Sequence, residues 1–339
     1  MLSATDDNRS MRIADFEGYS LDGAAGQKVG PNNSRPGTIR TSTVAFAGRQ
    51  PWGFSMRRTL SSVALLALSF AGAGAAAAQT GLPTSQPSLV TIIREEVKVG
   101  HQAEHARHET GWPAAYGRVN SPDYYLAMAS MTGLPEVWYI VPAASHAAMG
   151  EQDKRYSNDA AMTAELDRLA RADAEHINSA RTIHAAARPD LSMGSFPDLA
   201  RQRFWEITIF RARPGHEAEF DAAAKAYIAA AQRNAPNTNF RTYQVIAGMP
   251  GPTYIIFSSV ANFADFDAMM ADGMKTMAGA NAQEQAALLK FSTDGMLSAE
   301  TNRYRLDPRQ SYVSRETRAT DPAFWGTMPT GPRPTQRRP

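Results

Sequence analysis

"KVGHQAEHARHETGWPAAY" (Lys98–Tyr116) and "RPGHEAEFDAAAKAYIAAA" (Arg213–Ala231) decide the fold, because they are one stretch written twice. Gly100-His101-x-Ala103-Glu104 matches Gly215-His216-x-Ala218-Glu219 at an offset of 115. The same offset aligns Gly133-x-Pro135 with Gly248-x-Pro250, and Tyr139-Ile140 with Tyr254-Ile255. Further on, Ser179-Ala180-x-Thr182 and Pro189 match Ser298-Ala299-x-Thr301 and Pro308 at an offset of 119. The drift of four residues is about one helical turn. It falls between residues 140 and 179, where a helix is expected to absorb it. A repeat this long means duplicated domains rather than a solenoid.

Both copies carry the same order of elements. A β-branched run opens each, "SLVTIIREEVKV" and "RFWEITIFRARP", and reads as a strand. Gly-His then starts an alanine-rich helix with apolar residues three or four apart, such as Phe220, Ala224, Tyr227 and Ala231. Two strands follow around a Gly-x-Pro turn. A long helical region and a final strand, "SARTIHAAA" or "AETNRYRL", close each copy. The order β-α-β-β-α-β is the ferredoxin-like motif, whose helices cover one sheet face only. The bare face must be covered as well. The expected fold class is therefore α+β. Two tandem ferredoxin-like repeats, at 88–190 and 203–310, pack sheet-to-sheet as an intramolecular α+β barrel with helices outside.

The 339-residue chain has no cysteine. Disulfides, thiolate metal sites, cysteine nucleophiles and C-x-x-C-H haem attachment are thereby excluded. "MRRTLSSVALLALSFAGAGAAAAQT" from Met56 reads as a secretory signal peptide. Arg57 and Arg58 precede an apolar run from Val63 to Ala73, and Ala76-Ala77-Ala78 offers a cleavage site before Gln79. The run is too short and too rich in alanine and glycine for a membrane span. The expected location is periplasmic or secreted, with no membrane contact after cleavage. Residues 1–55 read as a disordered extension upstream of the true start, and 314–339 as a loosely ordered tail, with Phe324-Trp325 either packed back on the domain or exposed. Of 35 Lys/Arg and 33 Asp/Glu, 8 and 5 precede residue 79, and 5 and 2 follow residue 314. Residues 79–314 keep 22 and 26, a net −4, which argues against nucleic acid as a partner.

Strand, then "RPGHEAEFDAAAKAY" (Arg213–Tyr227) opening a helix, then a hairpin, resembles the dimeric α+β barrel superfamily. That group includes antibiotic-biosynthesis-monooxygenase-like and NIPSNAP-like domains; the nearer likeness is to exported bacterial proteins with two such repeats. The resemblance covers both copies and implies a barrel that takes up a small organic molecule. Its members range over cofactor-free oxygenation, haem degradation, chlorite dismutation and proteins without known activity, so fold does not supply function. The Asn of the haem-degrading triad has no counterpart in "LVTIIREEV" or "FWEITIFRA". The second copy's one histidine, His216, repeats His101. Neither observation favours haem, and no cofactor is expected.

His101, His105 and His108 share one helix face that Trp112 extends, and Glu104 and Glu109 lie nearby but off that face. His101 recurs as His216 and so belongs to the fold. His105 and His108 stand where copy two has Phe220 and Ala223, and Gly111 and Pro113 break the helix where copy two has Ala226 and Ile228. Such departures gather at functional sites. Three readings stay open: packing, a pocket for an apolar or aromatic molecule, and a metal site on His101, His105 and His108. In the pocket reading, His105, His108, Trp112 and Trp138 line the ligand, and His105 or His108 serves as general base in a cofactor-independent monooxygenase-like or isomerase-like reaction. A structural or interaction protein without a small-molecule site is the third alternative. Further self-association is left open.

Overall fold

The computed structural model describes residues 81–327; the expected extension, the expected export signal and the end of the tail lie outside the described residues. The first copy comprises β1 (Leu89–Val97), α1 (Gln102–Glu109), α2 (Gly111–Arg118), β2 (Leu126–Ser130), β3 (Glu136–Ala143), α3 (His146–Ser157), α4 (Ala160–Asp173) and β4 (Ile177–Ala187). The second comprises β5 (Phe204–Ala212), α5 (Glu217–Asn234), β6 (Arg241–Ala247), β7 (Thr253–Val260), α6 (Asp265–Ala278), α7 (Ala282–Lys290) and β8 (Met296–Leu306). Two short helices follow, α8 (Arg315–Thr320) and α9 (Pro322–Trp325).

The eight strands close into one antiparallel barrel in the order β1-β3-β2-β8-β5-β7-β6-β4. Each copy contributes a four-stranded sheet of ferredoxin-like order, and the sheets join edge to edge through β2–β8 and β4–β6. No strand edge of the barrel is left to solvent, so the strands of the two copies satisfy one another's backbone. Strand alternation separates two faces. Val90, Ile92, Trp138, Ile183, Trp205, Ile207, Ile255 and Tyr304 point inward and form the main core. Ile93, Val97, Val137 and Tyr139 point outward beneath the first-copy helices.

The register corrects the expected position of the drift. β1 and β5 differ by 115, since Leu89 pairs with Ala143 as Phe204 pairs with Val260, but β3 and β7 then differ by 117. Two of the four extra residues thus lie in the β6–β7 turn rather than in a helix. A two-residue slip keeps every strand side chain on its own face, which is why a sheet tolerates it. Tyr139 accordingly corresponds to Ile256, not Tyr254.

The shared Gly-His has a backbone cause. Gly100 and Gly215 sit at φ +89 and +87, a conformation that favours glycine. The amides of His101 and His216 close matching turns onto Lys98 and Arg213 at 2.9 and 3.0 Å. Neither imidazole caps its helix. The helix break is where Gly111 and Pro113 place it: α1 stops at Glu109, whereas α5 runs unbroken for 18 residues.

Residues 314–327, expected to be loosely ordered, instead form α8 and α9 against one barrel end. Trp325 is 2% exposed and joins the main core, while its indole donates to the Ala200 carbonyl at 3.1 Å. Arg203 holds the segment through Asp321 at 2.5 Å and through the Phe324 ring at 3.8 Å. The apolar area of the buried Trp325 and the half-buried Phe324 outweighs the polar composition around them. Among the described residues no helix is long and apolar enough to cross a membrane.

Candidate functional site

Two places depart from ordinary packing, one on each side of the sheet. The outer one lies beneath α1. His105 is 1% exposed, and its Nδ1 stands 2.9 Å from Asp173 Oδ2 on α4. A proton on Nδ1 donates to that carboxylate and leaves the Nε2 lone pair free. Nε2 faces Glu95 Oε2 of β1 at 3.8 Å and the Tyr139 hydroxyl at 3.5 Å. Glu109, the last residue of α1, is buried beside them. Glu95, His105, Glu109 and Asp173 each offer a donor atom, and these four atoms lie within 4.8 Å of one another.

Three carboxylates here face one imidazole. Among the described residues none of them pairs with a lysine or arginine. Buried Glu95 Oε2 and Asp173 Oδ1 have no hydrogen-bond partner. Burial pushes the Glu95 carboxyl up to about 7, with the Asp173 charge adding to the rise and His105 opposing it. Burial, then the charges of Glu95 and Asp173, holds Glu109 well above the usual carboxylate range. The inward Arg94–Glu136 pair shows the contrast. There a guanidinium meets the carboxylate at 2.9 and 2.5 Å, and Trp138 Nε1 adds a bond at 2.9 Å.

The second copy is an internal control. Where the first has Glu95, His105, Glu109 and Asp173, it has Phe210, Phe220, Ala224 and an exposed Ser292. Phe210, Phe220 and Phe291 pack there as one aromatic cluster with Tyr254, ring centroids 3.7–6.2 Å apart. This backbone therefore accepts an all-apolar filling. Buried charges cost several kcal/mol each unless compensated, so the first copy carries a polar cluster that its fold does not need.

His101 and His108 are not in this cluster. They flank His176, whose counterpart is Gly295: the Lys98 amide bonds the His176 carbonyl at 2.9 Å as the Arg213 amide bonds that of Gly295 at 2.7 Å. His101 Nδ1 lies 3.0 Å from His176 Nδ1, and the His108 ring stacks on His176 at 5.0 Å. Desolvation, then the neighbouring His176 and Arg107 charges, lowers the His108 pKa. Trp112 packs with Ala115, Met162 and Leu169. Trp138, fully buried, points into the barrel against Tyr304, on the other side of the sheet. The structure thus unites His105 with Glu95, Glu109, Asp173 and Tyr139, and separates it from Trp138. Sequence reasoning missed Glu95, Asp173 and His176 and set Glu109 off the histidine face. The signal was present: at the repeat offsets Glu95 and Glu109 stand on Phe210 and Ala224, and His176 on Gly295.

The inner place is a cavity of about 80 Å³ at the barrel mouth. Its walls include Val90, Leu126, Met128, Ile140, Trp205 and Phe257, with Tyr243 and Arg241 as polar members. Leu82, Phe196 and Leu199 cover it and also wall an outer hollow of about 450 Å³. Arg241 is 7% exposed and donates to the carbonyls of Met193, Phe240 and Gly194 at 2.6–2.8 Å. Five N–H donors make three bonds there, and among the described residues no carboxylate pairs with it.

The sequence matches no protein-family model and no curated protein. Among solved structures the chain aligns with an anthrone oxidase-like protein at 12% identity and a TM-score of 0.47, over 67% of this chain and 94% of that one. It also aligns with a mutant chlorite dismutase from Candidatus Nitrospira defluvii at 8% identity and a TM-score of 0.39, over 67% and 93%. The architecture stands on the strand order and register of the chain itself.

Proposed function

We propose that this is an exported α+β barrel that binds a small apolar or aromatic organic molecule bearing an acidic oxygen, held at the barrel mouth. The supporting observation is the apolar cavity with a buried guanidinium, Arg241, in its wall and no carboxylate to neutralise it. Ligand sites commonly combine an apolar lining with a few placed polar groups, and a buried cation is costly until an anion joins it. The cavity is about half the size of one that holds benzene (~150 Å³), so a ring enters as Leu82, Phe196 and Leu199 yield toward the outer hollow. Export rests on the run from Met56 to Ala78. His105 and His108 lie on the other face of the sheet from this cavity, so this reading gives them no part in turnover of a ligand held there.

An anionic aromatic dye, anilinonaphthalene sulfonate, tests the reading by fluorescence titration of the folded protein. Saturable one-to-one binding is expected. It should weaken about tenfold or more in Arg241→Gln, in line with a lost charge-assisted bond. Val90→Phe, which fills the cavity, should block it. Binding untouched by both substitutions would place the ligand elsewhere.

A further inference from the structure

The cluster beneath α1 carries a second proposal, independent of the barrel cavity. We propose that Glu95, His105, Glu109 and Asp173 hold one divalent first-row transition-metal ion. Three observations converge on it. The four donor atoms already lie within 4.8 Å of one another. Ligands held about 2.0–2.2 Å from one ion are at most about 4.4 Å apart, so closure asks only small rotations. Next, Asp173 is 3% exposed, and its Oδ1, like Glu95 Oε2, is buried without a partner. Both are oxygens that an ion would satisfy. Finally, the second copy fills the same place with Phe210, Phe220 and Ala224, so packing does not explain the polar set.

Charge gives the same answer. Three carboxylates and one imidazole, with no lysine or arginine among their described ion-pair partners, form an anionic pocket that protons or a cation must neutralise. One nitrogen and three oxygens without sulfur suit Mn²⁺, Fe²⁺ or Zn²⁺ better than Cu⁺, and the imidazole disfavours Mg²⁺ and Ca²⁺, which prefer all-oxygen shells. Glu95, whose side chain is 16% exposed against 1% for His105, marks the path by which an ion arrives.

The test uses the full chain, stripped of metal with a chelator and titrated with Mn²⁺. Loss of the free-ion paramagnetic resonance signal measures uptake, and Zn²⁺ competes for the same site. One ion per chain with micromolar or tighter affinity is expected, together with a rise in melting temperature. Glu109→Gln should weaken binding at least about tenfold, and His216→Ala in the second copy should not change it. The combined Glu95→Phe, His105→Phe, Glu109→Ala and Asp173→Ser variant copies the second-copy filling, so it should fold and bind no ion. No saturable uptake of Mn²⁺ or Zn²⁺ at millimolar metal would overturn the proposal. Full uptake by this fourfold variant would overturn it equally.

Discussion

Replacing Glu95 by glutamine isolates the cost of the uncompensated charge. In the folded protein the Glu95 carboxyl titrates near 7 rather than 4.5. The folded state therefore holds a proton that the unfolded chain has released between these two values. Stability from this group is complete below pH 4.5 and declines until about pH 7. A displacement from 4.5 to about 7 is worth roughly 3 kcal/mol at about 1.4 kcal/mol per pH unit. Glutamine keeps the shape and cannot ionise. Relative to the parent, Glu95→Gln should gain about 3 kcal/mol between pH 4.5 and 8, or roughly 6–12 °C in melting temperature for a domain of this size. Urea unfolding of both proteins across that range, with chelator present throughout, supplies the difference. Using the difference cancels the pH response of every other group. A gap that stays constant with pH, or one that closes as pH rises, would refute an uncompensated carboxylate at this position.

Further outcomes follow from the same geometry. His105→Phe alone strips Asp173 and Glu95 of their imidazole and should cost about 3–5 kcal/mol at pH 8; adding Glu95→Phe, Glu109→Ala and Asp173→Ser should restore most of it, as urea midpoints would show. Gly248 has φ +90, and a Cβ there would overlap the Thr182 carbonyl across the second seam, so Gly248→Ala should lose more than about 2 kcal/mol. Trp325→Ala should cost about 3–5 kcal/mol and loosen the barrel end, raising the dissociation rate of the bound dye in stopped-flow measurements.

Much of the architecture was legible in one sequence because the chain carries its own alignment. Two copies of β-α-β-β-α-β, with alternation in "EVWYIVPA" and "FWEITIFRA", leave few other ways to cover two bare sheet faces. The site was less legible. Histidines draw notice by type and spacing, so His105 was found, and its burial followed from Phe220. Its partners come from β1 and α4, and strand register and helix packing, not spacing, bring them there. Glu109 was set aside because an ideal helix turns it off the histidine face, yet the break at Thr110 ends α1 against the sheet and buries it. The mouth cavity was invisible for a different reason. Its lid comes from 81–87 and 193–199, connections without periodicity, so nothing in the sequence pattern indicates where they fold back.

The ring of strands also governs when the molecule can form. β8 is the last strand made, yet it sits between β5 and first-copy β2, pairing Leu306 with Met128. The closing contact spans more than half of the described chain, and contacts so distant in sequence come at a high loop-closure cost and slow the rate. The circle therefore cannot shut until the C-terminal strand has left the ribosome. Such a delay leaves the nascent chain open along its length until β8 has emerged.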